Sequence, residues 1–140
     1  MAASSPRSRP PSADASPRLA PDLVRGSLDL MALATLSDGA AYGLAIQQRL
    51  RAASGGRVEA NPGTLYPLLH RLEADGLIAA DWRMDEGRRR KWYTLTVAGR
   101  RRLTDRAAQW YAYAETVRGL LEPVVGPPAG AAPIAALKPA

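Results

Sequence analysis

Cysteine and phenylalanine are both absent from this 140-residue chain, and histidine occurs once. No disulfide framework can form, and a lone histidine without thiolates leaves a zinc site short of ligands, so no metal is expected. No stretch approaches the roughly 18 apolar residues of a membrane span. The first residues carry arginines but no apolar h-region. A secretory signal is therefore not expected, and a cytoplasmic protein is. Catalytic material is equally scarce. There is no glycine-rich phosphate loop and no acidic cluster at a cleft, so neither a cofactor nor an enzyme activity is expected.

What is present divides into a core and two tails. Residues 1–21 hold five prolines and five serines with hardly any large apolar side chain, and they read as a disordered tail. Residues 123–140, PVVGPPAGAAPIAALKPA, share that character and read as a second flexible tail. The formal net charge is +6. Arg7, Arg9 and Arg18 against Asp14 place two of those charges in the first tail, and Lys138 places one in the second, leaving three for the core. An excess of three alone does not argue for nucleic acid. Its location does, because Arg88, Arg89, Arg90 and Lys91 are consecutive, and a concentrated field of one sign steers polyanions better than a diffuse one.

Along the core, Ser27 to Leu36 reads as a first helix. Its apolar face (Leu28, Leu30, Met31, Leu33, Leu36) is wide enough to meet its own domain and a second surface. A turn at Ser37-Asp38-Gly39 leads to a second helix from about Tyr42 to Ala53. Gly43 inside it costs roughly 1 kcal/mol of helix propensity, which implies close backbone approach by another element. A third helix opens at Asn61, a good N-cap, with Pro62 at the first helical position. Leu65, Leu68, Leu69 and Leu72 form its inward stripe, so Gly63, Pro67, His70 and Ala74 point away, with Thr64, Tyr66 and Arg71 on the shoulders. The outward face lacks acids near its N-terminus, as suits a helix entering a DNA groove by that end. Pro67 implies either a kink or a regular part that begins nearer Thr64.

Leu77–Arg83 and Lys91–Thr96 read as the strands of a hairpin whose turn carries the basic run. Trp82, Trp92 and Tyr93 are cross-strand or core candidates. Thr96 caps a last helix over 97–122, ended by Pro123. On it Leu103, Ala107, Trp110, Ala114, Val117 and Leu121 recur at spacings of four and three, a heptad-type seam. A lone helix beyond the hairpin has little domain left to cover it. The seam is therefore expected to join a second copy, the alternative being that it folds back on the first helix.

The expected fold is mainly α with a small antiparallel β-hairpin: a winged helix-turn-helix over 22–96 plus a long C-terminal dimerisation helix. In that order the segments LVRGSLDLMALATL, Tyr42-Gly43, NPGTLYPLLHRLEADGLI, GRRRKWYTLTVAG and Trp110 resemble the PadR family of transcriptional regulators, in its smaller form with one C-terminal helix. The resemblance covers about Leu23 to Leu121. It implies a homodimer that represses by occupying double-stranded operator DNA. Thr64 and Tyr66 match recognition-helix positions that meet DNA, Arg88 to Lys91 match the basic wing, and Tyr42 is a further candidate DNA contact. Trp110 matches a tryptophan that in some relatives lines a dimer-interface pocket for flat aromatic or drug-like effectors.

Ala107 and Ala114 leave space beside the Trp110 indole, where offset stacking of a planar ligand adds about 0.5–1.5 kcal/mol beyond buried area. Equally, small residues there let two helices approach with Trp110 filling the seam, and both can hold in one protein. Arg71 and His70 complete the set that reaches bases or phosphates. Two helices related by a two-fold axis imply a pseudo-palindromic site. The competing reading keeps the winged helix but turns it toward an acidic protein partner. Such modules often lack an outward face free of acids, which this chain has.

Overall fold

Leu65, Leu68, Leu69 and Leu72 are all buried, and the helix that carries them forms the middle of the fold. A computed structural model of the protein describes residues 18–130. Its elements are α1 (Pro21–Arg25), α2 (Leu28–Thr35), β1 (Ala41–Tyr42), α3 (Gly43–Ala53), α4 (Pro62–Ala74), β2 (Ile78–Asp85), β3 (Arg88–Leu95) and α5 (Val97–Val125). Against the central stripe pack Leu28, Ala32 and Leu33 of α2 with its C-cap Leu36, Ile46 and Leu50 of α3, and Ile78 and Tyr93 of the sheet. Burying each such aliphatic side chain is worth roughly 1.5–3 kcal/mol, so this cluster supplies most of the cohesion.

The sheet has three antiparallel strands in the order β1-β3-β2, so the expected hairpin gains a short third strand. Tyr42 is not the first residue of its helix. It belongs to β1, opposite Trp92, and is the N-cap of α3. The β2–β3 register runs without interruption from Ile78↔Leu95 to Asp85↔Arg88. Only Glu86 and Gly87 remain for the turn, both at positive φ (49° and 75°). That is the twist-matched two-residue turn that glycine makes accessible. The basic run therefore lies on a strand rather than in the turn, because the ladder persists to the last pair.

α4 passes through Pro67 as one helix from Pro62. The missing N–H would have bonded the carbonyl of Gly63, an exposed residue. α5 likewise continues past Pro123, which does not end it. Gly119, whose carbonyl loses its partner, is exposed. The Gly126 N–H closes the final turn on the Glu122 carbonyl at 2.9 Å.

The described residues extend past both expected tail boundaries. Leu19 N–H bonds the Arg57 carbonyl at 2.9 Å, and Arg18 pairs with Glu59 at 2.6 Å. The rest of the two expected tails, residues 1–17 and 131–140, lies outside the described residues.

The start of α5 is clamped. Thr96 Oγ1 accepts from the Gly99 N–H at 2.9 Å and donates to the Gly76 carbonyl at 2.7 Å. A Cβ on Gly99 would collide with the Leu77 carbonyl and approach Leu95 Cδ1 to 2.7 Å. The α4–β2 junction and α5 thus touch backbone to backbone, which fixes the direction in which α5 leaves the domain.

α5 also has more domain to rest on than its sequence suggested. Leu103 packs against the core, and Leu30 of α2 shares a groove with Arg106, Gln109 and Trp110. The wide apolar face of α2 meets this helix of its own chain.

Candidate nucleic-acid interface

The N-terminal turn of α4 is built to be presented. Asn61 Oδ1 accepts from the Thr64 N–H at 3.0 Å, there is no acid in the first turn, and Gly63, Thr64, Pro67, His70 and Arg71 are exposed. Tyr66, 42% exposed, is less free than its neighbours. Its ring lies over Gly43, where an added Cβ would stand 2.6 Å from Tyr66 Cε1 and 2.9 Å from its Oη. The helix glycine is thus explained by close approach: it seats the Tyr66 ring and ties α4 to α3.

The hairpin is fixed at its base and free at its tip. Tyr93 is buried, and burial pushes its phenol pKa up. Lys91 Nζ donates to Glu73 Oε2 of α4 at 2.9 Å, and that bond is the main reason its pKa lies above the ordinary lysine value. Tyr42 meets Trp92 edge-on at 5.1 Å, with the Arg90 guanidinium 4.3 Å from its own ring centroid.

These contacts sort the four cations of the basic run. Lys91 is neutralised by Glu73, and Arg90 lies 3.9 Å from Asp85. Two of the four cations, Arg88 and Arg89, are thus exposed without an acidic partner among the described residues.

A groove of about 470 Å³ between α4 and the hairpin gathers Tyr42, Tyr66, His70, Arg88, Arg90 and Lys91. Thr64 turns instead toward a hollow beside α1, and Arg71 and Arg89 lie outside the groove. Gly43 and Tyr93 also line it, as do two residues that the sequence did not single out for this surface, Leu44 and Trp82. Leu44, 48% exposed, sits about 200° around the helix from buried Ile46, so helical spacing alone could have placed it outward. Trp82, 55% exposed, is not a core residue. It shares the sheet face of buried Ile78 but lies about 13 Å farther along the strand, past the edge of the core.

At the other end, Trp110 is 43% exposed and makes an edge contact with Tyr111 at 5.7 Å. It borders two concavities. One, of about 420 Å³, lies toward α1 and α2, and the other, of about 550 Å³, runs along α5 past Ala114, Val117 and Leu121. Ala114 shares the second with the indole, whereas Ala107 lines neither.

A presented helix, a basic two-stranded wing and a long terminal helix in this order find a match among known proteins. The profile of the transcriptional regulator PadR-like family matches residues 32–105. The chain belongs to that family. A transcriptional regulator of Mycobacterium tuberculosis is 44% identical over 81 residues, which span 58% of this chain and 73% of the relative. The crystal structure of a PadR family transcriptional regulator from Eggerthella lenta aligns with a TM-score of 0.65 at 37% identity, over 72% of this chain and 87% of its own. A transcriptional regulator from Clostridium thermocellum aligns with a TM-score of 0.67 at 25% identity, over 72% and 96%.

The protein is therefore a PadR-family transcriptional regulator with a winged-helix DNA-binding fold, and not an enzyme. Among the described residues no helix is long and apolar enough to cross a membrane.

Proposed function

We propose that the protein is a cytoplasmic, homodimeric, sequence-specific repressor. The two copies join along the distal half of α5, and each places α4 in a major groove of one pseudo-palindromic operator. The observation that carries this reading is the division of α5. Its first turns are seated on the domain, while Trp110, Tyr113, Leu120, Leu121, Val124 and Val125 stand exposed on a helix that leaves at a fixed angle. Large contiguous apolar surfaces of that kind mark interaction sites, and a two-fold axis there relates two α4 helices as a palindromic site requires.

In this arrangement Tyr66, His70 and Arg71 meet base edges or phosphates. Thr64 contacts the backbone from the α1 side, and Tyr42, Arg88, Arg89 and Arg90 hold the flanking strand. Val117 and Leu121 continue the dimer seam beyond Trp110, with Leu103 and Ala107 at its inner end. Trp110 and Ala114 border a slot that takes a planar aromatic effector, whose binding changes the angle between protomers and releases the operator.

The test is a Tyr66→Ala, Arg89→Ala double variant titrated by fluorescence anisotropy against a duplex selected by the wild-type protein from a random library. Retained circular dichroism with affinity reduced about 100-fold or more is expected, since two contacts of roughly 1–3 kcal/mol each are removed. Unchanged affinity contradicts this assignment of the surface.

A further inference from the structure

Strand pleating divides the wing into two chemically unlike faces. Directly paired residues share a face, so Asp81, Arg83 and Asp85 lie with Arg88, Arg90 and Trp92, while Trp82 and Met84 lie with Lys91 and Arg89. On the first face acids offset two of the three arginines: Asp81 meets Arg83 at 2.9 Å and Asp85 meets Arg90 at 3.9 Å, leaving Arg88 without an ion pair among the described residues. On the second face the strands supply no acid, and Lys91, near the base, is taken by Glu73 of α4. There the outer half of the wing presents Met84, 72% exposed, and Trp82, 55% exposed, with the Arg89 guanidinium stacked 4.9 Å from the indole centroid.

This is an unusual surface for simple phosphate attraction. A solvated wing needs no tryptophan and methionine side by side at its outer end. A cation held against an indole loses little further freedom on binding and carries an apolar neighbour wherever it goes. A two-stranded ribbon with strands about 4.8 Å apart is too broad for a minor groove about 6 Å across, so it is the side chains near the two-residue tip that can enter it.

We propose that the wing meets duplex DNA through its Trp82–Met84–Arg89 face. Arg89 lies along the minor-groove floor, and Met84 acts as an apolar wedge against a base step, opening and bending it. Apolar wedges of this type, methionine among them, kink duplexes toward the major groove. Flexible pyrimidine–purine steps flanking the half-sites are then favoured without hydrogen-bonded readout. The inference rests on the wing being a DNA-contacting element and specifies which face enters the groove, Arg88 and Arg90 on the other face being left to the flanking phosphates.

The experiment uses the full chain and a duplex selected by the wild-type protein from a random library, labelled at both ends. Affinity is measured at several salt concentrations, and bending is followed by end-to-end energy transfer. Arg89→Ala is expected to flatten the slope of log affinity against log salt by about one. Met84→Ala and Trp82→Ala should lower affinity roughly tenfold each with the slope unchanged, and abolish the energy-transfer change. A duplex carrying a mismatch at the contacted step should recover most of the loss for Met84→Ala, because the unstacking is already done.

If Arg89→Ala weakens binding while Met84→Ala and Trp82→Ala leave affinity and bending intact, the wedge is overturned and the wing's role in DNA binding stands. If none of the three matters, both fall. Both apolar side chains are mostly solvent-facing, so neither variant removes a core contact, and equal thermal midpoints verify this.

Discussion

The two ends of the molecule both expose aromatic and aliphatic side chains, yet they do so differently. At the wing and α4, exposed Tyr66 and Trp82 and half-buried Tyr42 each have a neighbour against the ring: Gly43 beneath Tyr66, Arg89 over Trp82, Arg90 over Tyr42. On distal α5 the exposure is longer and plainer. Tyr113, Leu120, Leu121, Val124 and Val125 are all at least 53% exposed on one helix. Rings held in place are prepared to meet a ligand whose shape is already set. An uncovered apolar stripe is prepared to be covered by a surface as large as itself. On the proposed function, the difference separates the part that would read DNA from the part that would bring two readers together.

The largest effect should come from breaking the second end. Val117→Asp with Leu121→Asp places two carboxylates in the proposed seam. It should convert the dimer to monomer and lower operator affinity by at least 100-fold, read by light scattering and anisotropy together. If the variant remains dimeric, the seam lies elsewhere.

Next is the clamp that joins the two ends. Gly99→Ala drives a Cβ into the Leu77 carbonyl, which cannot rotate away as a side chain can. A destabilisation of about 3 kcal/mol, the upper end of overpacking costs, is expected in urea unfolding. A midpoint within error of wild type would mean that α5 is not clamped there.

Gly43→Ala should separate reading from stability. The added methyl meets the far end of the Tyr66 ring, which can swing aside. Folding stability should fall by less than about 1 kcal/mol, since alanine also improves helix propensity. Operator affinity should nevertheless drop about tenfold, as for loss of one contact. Equal losses in both would make Tyr66 a packing residue rather than a reading one.

The smallest effect is expected at the wing base. Lys91→Glu or Glu73→Lys alone should weaken binding several-fold, and the double exchange should restore it, because the ion pair of roughly 1 kcal/mol aligns wing and helix. The folded pKa values of both Lys91 and Tyr93 are raised. The stability they lend is fully present below their ordinary values near 10 and is lost as pH rises through the higher folded values. Thermal midpoints should therefore show no loss from these groups up to about pH 9 and fall above about pH 10. Lys91→Gln and Tyr93→Phe should blunt that fall, and an unaltered alkaline fall in the paired variant would assign it to other groups.

Much of the architecture was legible in the chain because local rules and burial agreed. The leucine stripe of α4, its Asn61 cap and the Thr96 cap of α5 each follow from spacing and from unpaired N–H groups. Gly43 was legible as a close approach, though not the ring that approaches.

Three features escaped for identifiable reasons. β1 is two residues long and exists only through pairing with β3, a partner some fifty residues away in sequence. The two prolines inside helices were overridden because each deprives only the carbonyl of an exposed residue. The four consecutive cations looked equivalent in sequence, and only the tertiary placement of Glu73 and Asp85 distinguishes them.

The most direct measurement is the mass of the full chain in solution at micromolar concentration by multi-angle light scattering, repeated with the selected duplex. A particle of twice the 14.9 kDa of one chain is expected, and a complex of two chains per duplex. A particle of one chain that still binds its duplex one to one would contradict it.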